Sequence, residues 1–347
     1  MVDFEIKTKQ LIDSLKGICA SYGLGNDGNE FKIITQVFLY KFLNDKFAFE
    51  LKKINKDVAN AGVKWEEAYI SLSDNDKDML RFELGAKTAF LNSEHLISTL
   101  FNRQNESDFA KLFDDTLRDI AKQNNDIFAV KTDGGTKITL FEQNGLSNFI
   151  SDESKRDSFC RAIINKLADF SFEQIFKEKF DFFATIFEYL IKDYNKDSGG
   201  KYAEYYTPHA VAKIMAAIMV KGDVKNVSCY DPSAGSGTLL MNIAHAIGED
   251  NCTIYSQDIS QKSSNLLRLN LILNNLVHSI SNIIQGNTML HPYFKDGNNL
   301  KKFDYIVSNP PFKMDFSDFR DDLDTKENNE RFFAGIPKIP AKKLESM

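Results

Sequence analysis

The stretch YDPSAGSGTLL, residues 230–240, follows a short apolar run and precedes a helical pattern. Gly235 and Gly237 lie in the turn between them, where glycine allows a positive φ and lets a ligand approach the backbone closely. The turn lacks the Gly-Lys-Ser/Thr ending of a phosphate-binding P-loop, and Leu240 stands where a dinucleotide fingerprint has its third glycine. The turn alone is compatible with a ligand site or with a tight structural turn.

Short apolar runs alternate with helical patterns on both sides of this turn, and we interpret four of them as strands. They are NVSCYD (226–231), CTIYSQD (252–258), SNIIQG (281–286) and FDYIVSN (303–309). This rhythm predicts an α/β Rossmann-like domain, an open parallel sheet with helices on both sides. Ligands of such sheets bind at the carboxyl ends of the strands.

The preceding part of the chain has a different pattern, because all seven prolines lie at or after Pro208. Apolar residues recur there at helical spacing, and one wide stripe predicts a helix that is buried on most sides. That stripe consists of Ile33, Ile34, Val37, Phe38, Phe42 and Leu43. We predict an α-helical N-terminal domain over residues 1–175 and a second domain over residues 176–347.

Two local features lie beside this boundary. Residues 127–142 contain two β-prone runs around Asp133-Gly134-Gly135, which predicts a hairpin. We interpret the hairpin as a structural edge rather than as a partner contact. Further along, Thr207 is placed to cap a helix that has Pro208 in its first turn.

Composition excludes several classes of protein. No apolar run is long enough to span a bilayer and the N-terminus does not resemble a signal peptide, so we expect a cytoplasmic protein without a membrane partner. The four cysteines form no CxxC pair and the histidines no metal-spaced pair, which argues against a disulfide framework or a metal site. The net charge of -6 is unusual for a chain that binds nucleic acid without a partner, so a DNA substrate would require one.

Two acids indicate which ligand the glycine turn binds. Asp231 ends the first strand, where a carboxylate would repel a pyrophosphate but attract a sulfonium. Asp258 ends the next strand, 21 residues after Gly237, close to the ~20-residue interval at which an acid binds a ribose diol. An alternative role for Asp258 is to cap the following helix. A ribose and a sulfonium together indicate S-adenosylmethionine, with Asn287 offering a donor and an acceptor to its adenine.

The last strand ends in the motif NPPF, residues 309–312, which predicts a catalytic loop. The Asn309 side chain and the Pro310 carbonyl can both accept hydrogen bonds from an exocyclic amine, which makes the amine nitrogen more nucleophilic. Pro311 stiffens the loop, and Phe312 offers a ring against which an unstacked base can lie. Taken alone, this motif is better explained by a turn, since Asn and Pro are common turn residues; together with both acids and the glycine turn it predicts methyl transfer.

The ordered set YAEYYTPHAV, DPSAGSGTLL, YSQDIS, GNTM and NPPF resembles the modification subunit of type I restriction-modification systems. The resemblance implies methylation of the N6 amine of adenine in DNA by S-adenosylmethionine. It also implies a specificity subunit that reads the DNA, a second methyltransferase subunit and a restriction subunit with nuclease and translocase activity. The resemblance further implies that the cofactor pocket is lined by Glu204, Tyr205, Tyr206, Thr207, Pro208, Ser236, Gly237 and Thr238, with Asp258 on the ribose. We expect Ser233 and Gly235 of the glycine turn to belong to the same pocket.

The sequence departs from the family pattern at two places. Ala203 occupies a position that is usually glycine, and the chain stops at Met347 although the family continues through three further strands and a helical region. We therefore expect the methyltransferase domain to be truncated after its fourth strand. Two alternatives stay open: a non-catalytic assembly or regulatory fragment of such a complex, and a methyltransferase that acts on a protein glutamine or an RNA base amine.

Overall fold

A computed structural model of the chain describes residues 2–25, 28–173, 175–176, 184–191, 207–311, 316–328 and 331–336. The α-helices of these residues are α1 (Val2–Ser21), α2 (Gly28–Ile54), α3 (Lys56–Asn60), α4 (Trp65–Ile70), α5 (Asp74–Leu84), α6 (Ile97–Arg103), α7 (Phe109–Gln123), α8 (Asn125–Phe128), α9 (Arg156–Ala168), α10 (184–191), α11 (His209–Met219), α12 (Thr238–Ile247), α13 (Gln261–Leu273) and α14 (Arg320–Leu323). In this part of the chain, no helix has the length and apolar character needed to cross a membrane.

The strands form one six-stranded sheet and a separate short hairpin. They are β1 (Val130–Thr132), β2 (Lys137–Ile138), β3 (Val227–Asp231), β4 (Cys252–Asp258), β5 (Ile283–Gln285), β6 (Lys295–Asp296), β7 (Asn299–Leu300) and β8 (Tyr305–Ile306). The order in the large sheet is β2-β1-β5-β4-β3-β8, and β6 pairs with β7. All neighbours in the large sheet are parallel except β2, which runs antiparallel to β1 at one edge.

The α/β class predicted from sequence is confirmed. The four predicted strands correspond to β3, β4, β5 and β8, and they lie side by side in parallel. Cys229, Ile254 and Ile283 are buried in the centre of these strands, as expected for a sheet covered on both faces. Helices α12 and α13 pack against this sheet. Because the four strands are parallel, their carboxyl ends lie at one common edge.

Helix α2 is the centre of the N-terminal half. All six residues of its predicted apolar stripe are buried, and α1 and α5 pack against it. Its buried carboxylate, Asp45, forms an ion pair of 2.9 Å with Lys41 and accepts a hydrogen bond of 2.7 Å from the Phe172 backbone nitrogen. Because these partners compensate the buried charge, the helix can be covered on nearly all sides.

The hairpin of residues 127–142 extends the sheet of the C-terminal half. Strand β1 pairs in parallel with β5, with Lys131 opposite Ile284 and Thr132 opposite Gln285. The sequence indicated a hairpin but not this pairing, because a three-residue strand carries no periodicity that identifies a distant neighbour. The domain boundary between residues 175 and 176 stays a prediction. The six-stranded sheet contains strands from both sides of this boundary.

A buried arginine attaches the hairpin to the rest of the sheet. Arg268 of α13 is 4% exposed. Its guanidinium donates hydrogen bonds of 2.9 to 3.3 Å to four backbone carbonyls, those of Phe128, Ile138, Thr139 and Leu140. Within the described ranges, no carboxylate lies at ion-pair distance from it. Desolvation lowers the pKa of Arg268 to about 10, so the side chain stays charged at neutral pH and depends on these carbonyls.

We expect Arg268→Leu to lower the free energy of unfolding by about 3 kcal/mol, because four buried or part-buried carbonyls lose a charged donor. Urea denaturation followed by circular dichroism measures this change. The matched control is Arg118→Leu on the surface of α7, where the arginine pairs with Asp115, and it should have a much smaller effect. Equal losses in the two variants would contradict the role given to Arg268.

Candidate cofactor and methyl-transfer site

The glycine turn connects β3 to α12 and passes close to α13. Gly237 has a φ of 82° and precedes the first residue of α12. A Cβ at this position would lie 2.2 Å from the Cδ1 atom of Leu267, which is buried in α13. The backbone conformation therefore favours glycine at residue 237, a side chain there would have to displace the end of Leu267, and the turn can follow the edge of the sheet closely.

Asp231 is the buried acid of the site. It is 1% exposed, and one carboxyl oxygen accepts a hydrogen bond of 2.9 Å from the Ser233 backbone nitrogen. Burial raises the pKa of Asp231 to about 7; the Ser233 backbone hydrogen bond opposes this rise and the charge of Asp258 adds to it. The side chain is therefore poised to become fully ionised when a cation lies beside it.

Asp258 joins the glycine turn to the turn after β4. Its two carboxyl oxygens accept hydrogen bonds of 2.8 Å from the backbone nitrogens of Gly235 and Ser260. Burial raises the pKa of Asp258, and these two hydrogen bonds oppose the rise. The alternative role as a helix cap is wrong, because Ser260 caps α13 by accepting a hydrogen bond from the Ser263 nitrogen.

Asn287 follows β5, in the next turn along the same edge. Its side-chain oxygen accepts hydrogen bonds from the backbone nitrogens of Met289 at 3.0 Å and Leu290 at 3.4 Å. The neighbouring Thr288 hydroxyl donates to the Pro232 carbonyl at 2.7 Å, which ties this turn to the glycine turn. The oxygen that sequence analysis offered to an adenine is thus engaged locally, and the amide nitrogen is left as the donor.

Asn309 faces the start of α11 across the site. Its side-chain nitrogen donates a hydrogen bond of 3.1 Å to the Thr207 hydroxyl, which directs the side-chain oxygen away from Thr207. The predicted helix cap at Thr207 is wrong: Pro208 occupies the cap position, and its carbonyl accepts from the Val211 and Ala212 nitrogens. The Thr207 hydroxyl instead orients Asn309.

Several of these side chains line one open cleft. Its lining is Thr207, Asp231, Ser233, Ala234, Gly235, Ser236, Thr238, Leu239 and Asn309. The cleft thus brings together predicted residues from the start of α11, the glycine turn and the end of β8.

The other predicted site residues either do not line this cleft or lie outside the part of the chain that the structure describes. Six are described but do not line the cleft, although Asp258 contacts it through its hydrogen bond to Gly235: Pro208, Gly237, Asp258, Asn287, Pro310 and Pro311. Glu204, Tyr205, Tyr206 and Phe312 lie outside the described residues. Among the described residues, no three His, Cys, Asp or Glu side chains are grouped so that they could hold a metal ion.

Sequence analysis missed two residues of this edge. Ser308 shares a hydrogen bond of 2.7 Å with Ser233 and so connects the end of β8 to the glycine turn. Ile259 directly follows Asp258 and is 54% exposed although it is apolar. Ile259 could have been found from sequence, because it is an isolated apolar residue directly after the polar end of a strand. Ser308 could not, because it contacts Ser233, which lies 75 positions away in the sequence.

Comparison with known proteins finds one family that is similar to the part of the chain containing this edge of the sheet. Residues 178–346, which include β3, β4, β5 and β8, match the profile of the N-6 DNA Methylase family. The similarity to this family is confined to that region, which is just under half of the chain.

The relatives are methylase subunits of type I restriction enzymes. The chain is 25% identical over 333 residues to the MpnII methylase subunit of Mycoplasma pneumoniae, which covers 90% of this chain and 58% of the relative. It is 27% identical over 185 residues to the MjaIX methylase subunit of Methanocaldococcus jannaschii, which covers 51% of this chain and 30% of the relative. The chain therefore spans 58% of the length of the first relative and 30% of the length of the second.

A solved structure shares the fold. The methyltransferase subunit of the type I restriction-modification system from Streptococcus thermophilus aligns with a TM-score of 0.69 at 20% identity. The alignment covers 92% of this chain and 66% of the solved one. At this identity the match shows the fold alone.

The raised pKa of Asp231 predicts a specific pH dependence of stability. The folded protein holds a proton that the unfolded chain releases above pH 3.8, so the free energy of unfolding should fall as pH rises to about 7. The contribution is at most about 1.4 kcal/mol per pH unit. Asp231→Asn removes it, so urea denaturation should show a difference between variant and wild type that grows from about pH 5 to 7 and then levels off. A constant difference would contradict the assignment.

Proposed function

We propose that the chain is the modification subunit of a type I restriction-modification enzyme and methylates the N6 amine of adenine in DNA with S-adenosylmethionine. The observation that carries the proposal is that Asn309 of the NPP motif, the buried Asp231 and the glycine turn line one cleft. The family match of residues 178–346 supports the chemistry, and the matched methylase subunits support the biological setting.

The residues of the cleft fit S-adenosylmethionine. A buried acid whose pKa is about 7 suits a ligand with a positive charge, because the cation would favour the ionised carboxylate. Asp258 is held by two backbone donors, and its other lone pairs can accept hydrogen bonds from a ribose diol. Bound S-adenosylmethionine supplies an electrophilic methyl group.

The Asn309 loop prepares the amine that receives the methyl group. The hydrogen bond to Thr207 leaves the Asn309 oxygen as an acceptor, and the Pro310 carbonyl is the second acceptor for the two hydrogens of the same amine. Two acceptors draw the nitrogen lone pair away from the ring, so the amine becomes nucleophilic without prior loss of a proton. Phe312 is proposed to support the unstacked base.

We extend the proposal to the architecture and assembly. A helical domain over residues 1–175 precedes a Rossmann-like methyltransferase domain over residues 176–347. The net charge of -6 favours a separate specificity subunit that supplies the positive surface for DNA. We further propose a second methyltransferase subunit, association with the restriction subunit, and a cytoplasmic location.

Cofactor binding tests the first part of the proposal. Calorimetric titration with S-adenosylmethionine should show one site, and Asp258→Ala should weaken binding at least about tenfold, since hydrogen bonds to a charged group contribute about 1.5–3 kcal/mol each. The control is Asp250→Ala, which removes an exposed acid near the opposite end of β4 and should leave affinity unchanged. Equal affinity of wild type and Asp258→Ala would contradict the ribose assignment.

Methyl transfer tests the second part. In complex with its specificity subunit, Asn309→Ala should transfer labelled methyl to DNA about a hundredfold more slowly, as expected for loss of an activating hydrogen-bond acceptor. S-adenosylmethionine affinity should change much less, because Asn309 acts on the amine. Asn148→Ala, which alters an exposed amide in the N-terminal half, is the control. Label in protein or RNA would support the alternative acceptors, and full activity of Asn309→Ala would overturn the mechanism.

A further inference from the structure

The hairpin of the N-terminal half brings an acid to the same edge of the sheet as the cleft. Strand β1 runs parallel to β5, so the residue after β1 lies beside the residues after β5. This residue is Asp133, and its backbone nitrogen donates a hydrogen bond of 2.9 Å to the Gln285 carbonyl. Asp133 therefore lies at the carboxyl ends of the parallel strands, where Asp231 and Asp258 also lie.

The Asp133 carboxyl group lies directly against Gly286. A Cβ at Gly286 would be 2.4 Å from the Oδ2 atom of Asp133 and 2.5 Å from its Cγ atom. Gly286 has no positive φ, so its backbone conformation does not require glycine. The lack of a side chain at residue 286 instead makes room for the carboxyl group. The Gly286 nitrogen also donates a hydrogen bond of 2.8 Å to the Asp258 carbonyl, so the two acids flank one glycine.

The position of Asp133 is fixed by the structure around it. Arg268 holds the carbonyls on both sides of the hairpin, and the Thr132 and Thr136 hydroxyls share a hydrogen bond of 2.8 Å across the turn. Within the described ranges, no lysine, arginine or histidine lies at ion-pair distance from Asp133. The side chain is exposed, so its oxygens are accessible to a ligand.

We propose that Asp133 recognises the adenine of the cofactor by accepting a hydrogen bond from its exocyclic amine. This inference rests on the proposed function. A nucleoside with its ribose on Asp258 of β4 would extend its base over the end of β5, towards β1. The Asn287 oxygen is engaged in its own turn, and the exposed Ile259 offers an apolar surface beside Asp258. Asp133 is then the acceptor available to the amine, and a site that accepts from an amine discriminates strongly against an analogue that lacks it.

A double-mutant cycle with a modified ligand tests this pairing. The ligands are S-adenosylhomocysteine and its 6-deamino analogue, in which hydrogen replaces the exocyclic amine. Calorimetry should show that wild type prefers the adenine ligand by about tenfold or more, and that Asp133→Ala reduces this preference at least fivefold. If the role of Asp133 were purely structural, Asp133→Ala would weaken the binding of both ligands equally and leave the preference unchanged.

The control and the outcomes separate this inference from the proposed function. Asp126→Ala removes the ion-pair partner of Lys137, a residue of the hairpin. This variant should keep the wild-type preference for the adenine ligand. If Asp133→Ala keeps the full preference, the pairing of Asp133 with the amine is overturned while cofactor binding stands. If wild type binds neither ligand, the proposed cofactor site is overturned and this inference with it.

Discussion

The hydrogen bond from the Gly235 nitrogen to the Asp258 carboxylate is the interaction on which the site depends. It joins the turn after β3 to the turn after β4, and the second oxygen of the same carboxylate holds the Ser260 nitrogen. Parallel pairing brings these turns to one edge. A backbone hydrogen bond of 3.4 Å from the Ala234 nitrogen to the Gln257 carbonyl also joins the glycine turn to β4, and the Asp258 carboxylate bridges the two turns. The buried Asp231 and the Asn309 side chain then face the same cleft.

The N-terminal half is a structural part of this edge and not only a neighbour of it. A parallel pairing between β1 and β5 and a charged guanidinium with four carbonyl partners attach the hairpin to the sheet. Removing one partner of a buried charge is costly, so the hairpin is expected to stay in place during ligand binding. This rigidity would allow an acid of the N-terminal half to contribute to ligand specificity.

Sequence patterns were sufficient for the elements but not for their long-range contacts. The α/β class and four parallel strands follow from apolar runs and glycine turns, and the acid at the end of each of the first two strands is visible in the same runs. Thr207 and Asp258 each carry a helix-cap signature, yet Pro208 and Ser260 occupy the cap positions. The Thr207 hydroxyl instead accepts a hydrogen bond from Asn309, and the Asp258 carboxylate accepts one from Gly235. The pairing of β1 with β5 and the role of Arg268 connect residues more than 120 positions apart, which no local pattern specifies.

In the proposed methyltransferase, the ends of the parallel strands build the cofactor cleft and the N-terminal hairpin completes it. A crystal structure of the chain with S-adenosylhomocysteine tests this claim most directly. We expect the ribose hydroxyls to lie within hydrogen-bond distance of Asp258, the sulfur to face Asp231 and Asn309, and the base to lie over the end of β5. Binding at another place, or a ribose without contact to Asp258, would contradict it.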